Sequence, residues 1–78
     1  MEHSEFLQKI KEQFIDEEDI HLDYDVEFRN IKSYDSLTGM AIIATIEDNY
    51  KIKLPVDDYK KLKTVNELYD YVAQKKSN

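Results

Sequence analysis

The stretch from Leu37 to Tyr50 constrains this chain most, because it is apolar on two faces where a helix at the edge of a small domain needs one. At about 100° per residue, Gly39, Ile42, Ile43, Ile46 and Tyr50 fall on one side. Leu37, Met40, Ala41 and Ala44 fall on the other. Thr38 and Thr45 take one flank and Glu47 the other, and Asp48 ends the second stripe. The first stripe is the core face. The second is left over once the core is built, and it begins one residue after Ser36, where an acidic, irregular stretch gives way to the helix.

Periodicity predicts three further helices and an all-α fold. Phe6, Leu7, Ile10 and Phe14 recur at helical spacing, so the first helix is expected at about residues 4–15, capped by Ser4. The main helix follows at 36–50. Pro55 pushes Leu54 out of helical geometry, so Lys51 to Val56 is extended. Residues 57–62 suit a short third helix, with acids leading and bases following as the helix dipole prefers. Thr64-x-x-Glu67 is a capping box that opens a fourth helix at 64–75, with Val65, Leu68, Tyr69 and Val72 facing the core. Ser77 and Asn78 should fray. Residues 16–35 form a long loop, which a compact domain tolerates when it is anchored; Ile20, Leu22, Val26, Phe28 and Ile31 are the anchors. No repeat or second domain is visible, and residues 1–78 read as a single domain.

Composition excludes several kinds of function. The chain has no cysteine, which rules out disulfides, a cysteine nucleophile and a thiolate metal site. Any thioester chemistry must borrow its sulfur from a prosthetic group. No apolar stretch is long enough to span a membrane, and no secretory n- and h-region opens the chain, so a cytoplasmic protein is expected. Of the 17 acids, 11 lie in the first 35 residues with only 4 of the 11 bases. Nucleic acid is therefore an unsuitable partner, and basic protein surfaces suit the acidic half.

Ser36 is the candidate site. A surface serine at a helix start either caps the helix or serves as a handle for covalent modification. A hydrolytic nucleophile would need a base and an oxyanion hole. Only His3 and His21 are available, in no recognisable motif, and Gly-x-Ser-x-Gly is absent. Both histidines read as solvated. Asp35 offers favourable charge at the helix start. Gly39, the only glycine, lies inside the helix, where it costs about 1 kcal/mol relative to alanine, and close packing is its expected role. Asp23-x-Asp25-x-Glu27 opens like a calcium loop, but Phe28 stands where the turn needs glycine and Tyr34 where a bidentate acid belongs. No metal site is expected.

Asp35-Ser36-Leu37, followed by Tyr50-x-Ile52-x-Leu54-Pro55, Thr64-Val65 and Leu68-Tyr69-x-Tyr71-Val72, resembles an acyl carrier protein from Phe28 to about Val72. The resemblance implies a four-helix carrier bundle with a long first loop and a short third helix. It also implies a 4′-phosphopantetheine arm, drawn from coenzyme A, on Ser36. A phosphopantetheinyl transferase would install the arm and read Asp35. Loading and processing enzymes for acyl or aminoacyl groups would then be the partners, docking on Asp35, Leu37, Met40, Ala41 and Ala44. The protein itself would be no enzyme, and a monomer is expected. The helix N-terminus suits the arm's phosphate. The cargo would either fold back against Ile46, Leu54, Leu62 and Leu68 or stay in solvent. Many carriers have Leu-Gly-x-Asp-Ser-Leu; here Ile31-Lys32-Ser33-Tyr34 precedes Asp35, and the exposed stripe is apolar where fatty-acid-synthesis carriers are acidic. These departures point to specialised lipid, polyketide or related biosynthesis. The competing reading is an unmodified helical interaction module in which Ser36 is only the N-cap.

Overall fold

Apolar residues at spacings of three and four drive the chain into four helices around one shared core. These are α1 (His3–Lys11), α2 (Ser36–Tyr50), α3 (Val56–Tyr59) and α4 (Val65–Lys76), with a 3-10 turn at Phe28–Asn30. The computed structural model describes residues 2–77, and among them no strand forms. An isolated antiparallel bridge joins Glu27 to Thr64. Helices α1, α2 and α4 pack on one another. Phe6, Ile10, Phe28, Ile42, Ile46, Val65, Leu68 and Val72 are fully buried between them. Each such side chain contributes about 1.5–3 kcal/mol by leaving water. The expected all-α bundle is what forms.

The first helix is shorter than its periodicity predicts. It begins at His3, one residue early, with Glu2 as N-cap and no side-chain cap bond, so Ser4 lies within the first turn and caps nothing. It ends at Lys11 because the chain tightens. The Gln13 and Phe14 amides bond back to Ile10 and Lys11, and the Gln13 side chain donates to the Lys9 carbonyl at 2.9 Å. This turn sends Phe14 into the core and leaves Ile15 94% exposed.

The long loop is anchored as expected. Leu22 and Phe28 are buried, and Ile20, Val26 and Ile31 pack against the core. The loop is also hydrogen-bonded to the connection before α4 and to the first turn of α4. The Phe28 amide donates to the Lys63 carbonyl at 3.2 Å, and the Asn66 amide to the Tyr24 carbonyl at 3.0 Å.

Helix α2 has its expected limits and turns out of helical geometry at Lys51, which adopts a left-handed conformation (φ 57°, ψ 44°). The Glu47 carboxylate then takes the Leu54 amide at 2.8 Å and holds the extended connection against α2. Helix α3 starts one residue before the predicted 57 and ends at Tyr59, three residues short; Lys61 and Leu62 continue only as 3-10-type turns. In α4, Thr64 caps, accepting from the Glu67 amide at 3.2 Å. The reciprocal bond of the box goes one residue further back, from the Lys63 amide to Glu67 Oε1 at 3.0 Å. Val65, Leu68 and Val72 are buried and Tyr69 half-buried, as their spacing requires. Ser77 forms the helix C-cap rather than fraying, and Asn78 lies outside the described residues.

Candidate functional site

The start of α2 is built by Asp35. Its backbone is extended, and its carboxylate accepts from the Thr38 amide at 2.9 Å and the Thr38 hydroxyl at 3.0 Å. The amide bond, then the hydroxyl bond, holds the Asp35 carboxyl below the usual carboxylate range, so it stays ionised. Asp35 is therefore the N-cap, and Ser36 is the first helical residue. This corrects the competing reading in which Ser36 is only the N-cap. Its side chain is exposed, and its hydroxyl forms no hydrogen bond among the described residues. Asp35 also occupies some of the amide donors that a phosphate at this helix end would use. Thr38, predicted on a flank, is buried because its hydroxyl is turned in to the cap.

Ser36 borders a groove of about 370 Å³ between the first half of α2 and α3. Met40 and Ile43 wall it on one side and Val56 on the other. Its floor is aromatic. The Tyr34 and Tyr59 hydroxyls meet at 2.9 Å beside Gly39. A Cβ on Gly39 would overlap the Tyr34 hydroxyl and lie 3.5 Å from that of Tyr59. A side chain at this position would have to displace the Tyr34 hydroxyl, so the close approach of the loop tyrosine favours the single glycine. Both rings lean on Phe28, with centroids 6.0 and 5.9 Å away. Burial, then the bond to Tyr34, pushes the Tyr59 phenol far above its usual range, so it keeps its proton.

Arg29, the only arginine, fixes the far wall. Its guanidinium donates to the Tyr59 and Leu62 carbonyls, each at 2.6 Å, and lies 4.5 Å from the Tyr59 ring centroid. These carbonyls end α3 and its following turn, where positive charge is favourable. The loop, α3 and α2 are held together at one place, beside Ser36.

A family model described as phosphopantetheine attachment site matches residues 5–72. The chain belongs to this family. Its members bind 4′-phosphopantetheine covalently, so the protein is a phosphopantetheine carrier of the acyl carrier type and is itself non-catalytic. Carriers of this kind work with partner enzymes. No solved structure gives a significant match.

The carrier exposes the leftover stripe of α2. Leu37 is 75% and Met40 66% exposed, Ala44 is exposed and Ala41 half-buried. Ile15 and Leu37 border a second hollow, which Asp35 lines as it does the groove. The carrier's helices include none long and apolar enough to cross a membrane among the described residues. No metal-holding cluster forms there either, and Asp23, Asp25 and Glu27 stay apart from any ligand arrangement. His21 is exposed, as is His3, but His3 is not merely solvated: its ring stacks on Tyr69 at 3.7 Å. Sequence reasoning missed the Tyr34–Tyr59 pair and the Arg29 clamp. The signals available were a lone glycine in a helix and a lone arginine in an acidic loop.

Proposed function

We propose that Ser36 is the residue that carries the 4′-phosphopantetheine arm. The observation that carries this reading is an exposed hydroxyl at the first helical position, released from capping by Asp35 and opening onto an apolar groove. When attached, the arm supplies a thiol that holds an acyl or aminoacyl group as a thioester. Leu37, Met40, Ala41 and Ala44 form the apolar face on which the transferase and the loading and processing enzymes dock, with Asp35 as the charged contact at its edge. An apolar docking face in place of an acidic one favours specialised lipid, polyketide or related biosynthesis over housekeeping fatty acid synthesis. Residues 1–78 act as one such domain, a monomer working in the cytoplasm.

Co-expression with a broad-specificity phosphopantetheinyl transferase, followed by intact-mass measurement, tests the attachment. The wild type gains the mass of one phosphopantetheinyl group and Ser36→Ala gains none. An unmodified wild type, or a modified Ser36→Ala, contradicts the proposal.

A further inference from the structure

The groove beside Ser36 differs from an open cleft in having a closed, hydrogen-bonded floor. Tyr34 and Tyr59 span it with their 2.9 Å hydroxyl contact, Tyr59 is only 5% exposed, and Arg29 ties Tyr59's own carbonyl to the first loop. Below that floor Phe28, Ile42, Ile46 and Leu68 are fully buried and Leu54 nearly so. None of Ile46, Leu54, Leu62 and Leu68, the side chains against which a long chain would fold back, borders the groove. An alkyl chain entering the core there must break the bond between the phenols and displace close-packed side chains. The space above the floor, about 370 Å³, lies at the low end for ligand sites.

The floor also offers chemistry. The pair of phenols carries a pair of hydroxyl hydrogens, and their mutual bond uses one. No second partner for either hydroxyl forms among the described residues. A donor thus remains in a groove whose walls are otherwise mostly apolar, and it suits an oxygen acceptor close to a thioester.

Building on Ser36 as the attachment point, we infer that the Tyr34–Tyr59 pair over Gly39 sets the cargo class: short acyl groups lie in the groove with an oxygen on the phenol floor, and long chains are kept out of the core. Tyr34 and Tyr59 are then specificity-determining residues.

The test uses the full chain. A broad-specificity transferase loads it from acetyl-, butyryl-, octanoyl- and myristoyl-coenzyme A, intact mass confirms each product, and thermal melting follows. The midpoint rises little from acetyl to butyryl and stays level through myristoyl. A sequestered long chain would bury several methylenes and raise the midpoint by about 10 °C or more. Such a rise in the octanoyl and myristoyl forms overturns the inference. Tyr34→Phe keeps the ring and keeps the level series. Tyr34→Ala opens the floor, so myristoyl then stabilises relative to acetyl; a folded Tyr34→Ala with a level series would overturn the assignment to this pair. Should that variant fail to fold, Tyr34→Leu, which keeps an apolar side chain but cannot bond the Tyr59 hydroxyl or cover the floor with a ring, takes its place with the same two outcomes. Absence of any added mass defeats the attachment proposal, whereas an added arm with rising midpoints defeats only the length limit.

Discussion

The Tyr34 hydroxyl lies 2.9 Å from the Tyr59 hydroxyl, and the pair closes over the bare α carbon of Gly39. Two residues 25 apart in sequence thereby join the first loop to α3 across the first turn of α2. The same contact explains why a residue that weakens helices stands inside the helix that presents Ser36.

Gly39→Ala tests that explanation. On helix propensity alone alanine should stabilise by about 1 kcal/mol. Overlap with the Tyr34 hydroxyl opposes this with an overpacking cost of about 1–3 kcal/mol. The net result is a destabilisation of about 1 kcal/mol in urea unfolding. In a Tyr34→Phe background the hydroxyl is gone and most of that cost disappears, so the double-mutant cycle shows coupling. Additive effects would place the constraint elsewhere.

Arg29→Ala removes both donors from the Tyr59 and Leu62 carbonyls. Bonds from a charged donor of this kind are worth about 1.5–3 kcal/mol each when lost from a sheltered site. Because this site is only half-buried, a total loss of about 2–3 kcal/mol is expected. Arg29→Lys recovers little, since an ammonium cannot fork to two carbonyls. Hydrogen exchange checks the locality: the Lys60, Lys61 and Leu62 amides should lose protection before those of α4.

Lys51 ends α2 with a positive φ, a conformation that costs a side-chain-bearing residue about 1 kcal/mol and costs glycine almost nothing. Lys51→Gly should therefore raise unfolding stability by roughly 0.5–1 kcal/mol despite the greater freedom of its unfolded chain. No change on thermal or urea unfolding would mean that the lysine is unstrained there.

Two groups give the stability curve opposite edges. The Asp35 carboxyl is lowered in the folded state from its ordinary 3.8, chiefly by the Thr38 amide. Its contribution is complete above about pH 4 and fades as pH falls through the folded value. Asp35→Asn should be flatter than wild type on the acid side. The Tyr71 phenol is pushed up from 10.0 to about 12, first by burial and then by its 2.8 Å bond to Asp58. Its contribution is complete below about pH 10 and is lost as pH rises from there to about 12. Tyr71→Phe should lack that alkaline fall, and parallel curves for the variant and wild type would contradict this assignment.

Much of the fold was legible because its signals are local. The two stripes of α2, the Thr64 cap with Glu67, and the apolar residues of the long loop each follow from spacing within one element. The end of α1 was not legible: Phe14 continues the helical period, yet it reaches the core from a tightened turn after Lys11. The competing reading placed the cap on Ser36, one residue late, because aspartate and serine are both good caps and only the placement of Thr38 decides between them. Tyr34, Tyr59 and Arg29 act across 25 to 33 residues of sequence, and no periodicity announces such contacts. The start of α2, where Ser36 lies exposed, was therefore readable, whereas the floor and far wall of the adjoining groove were not.

Fragment-ion mapping of protein purified after co-expression with a phosphopantetheinyl transferase tests the central claim most directly. The account predicts one phosphopantetheinyl group, located on Ser36. An unmodified chain, or the group on Ser4, Ser33 or Ser77, would contradict it.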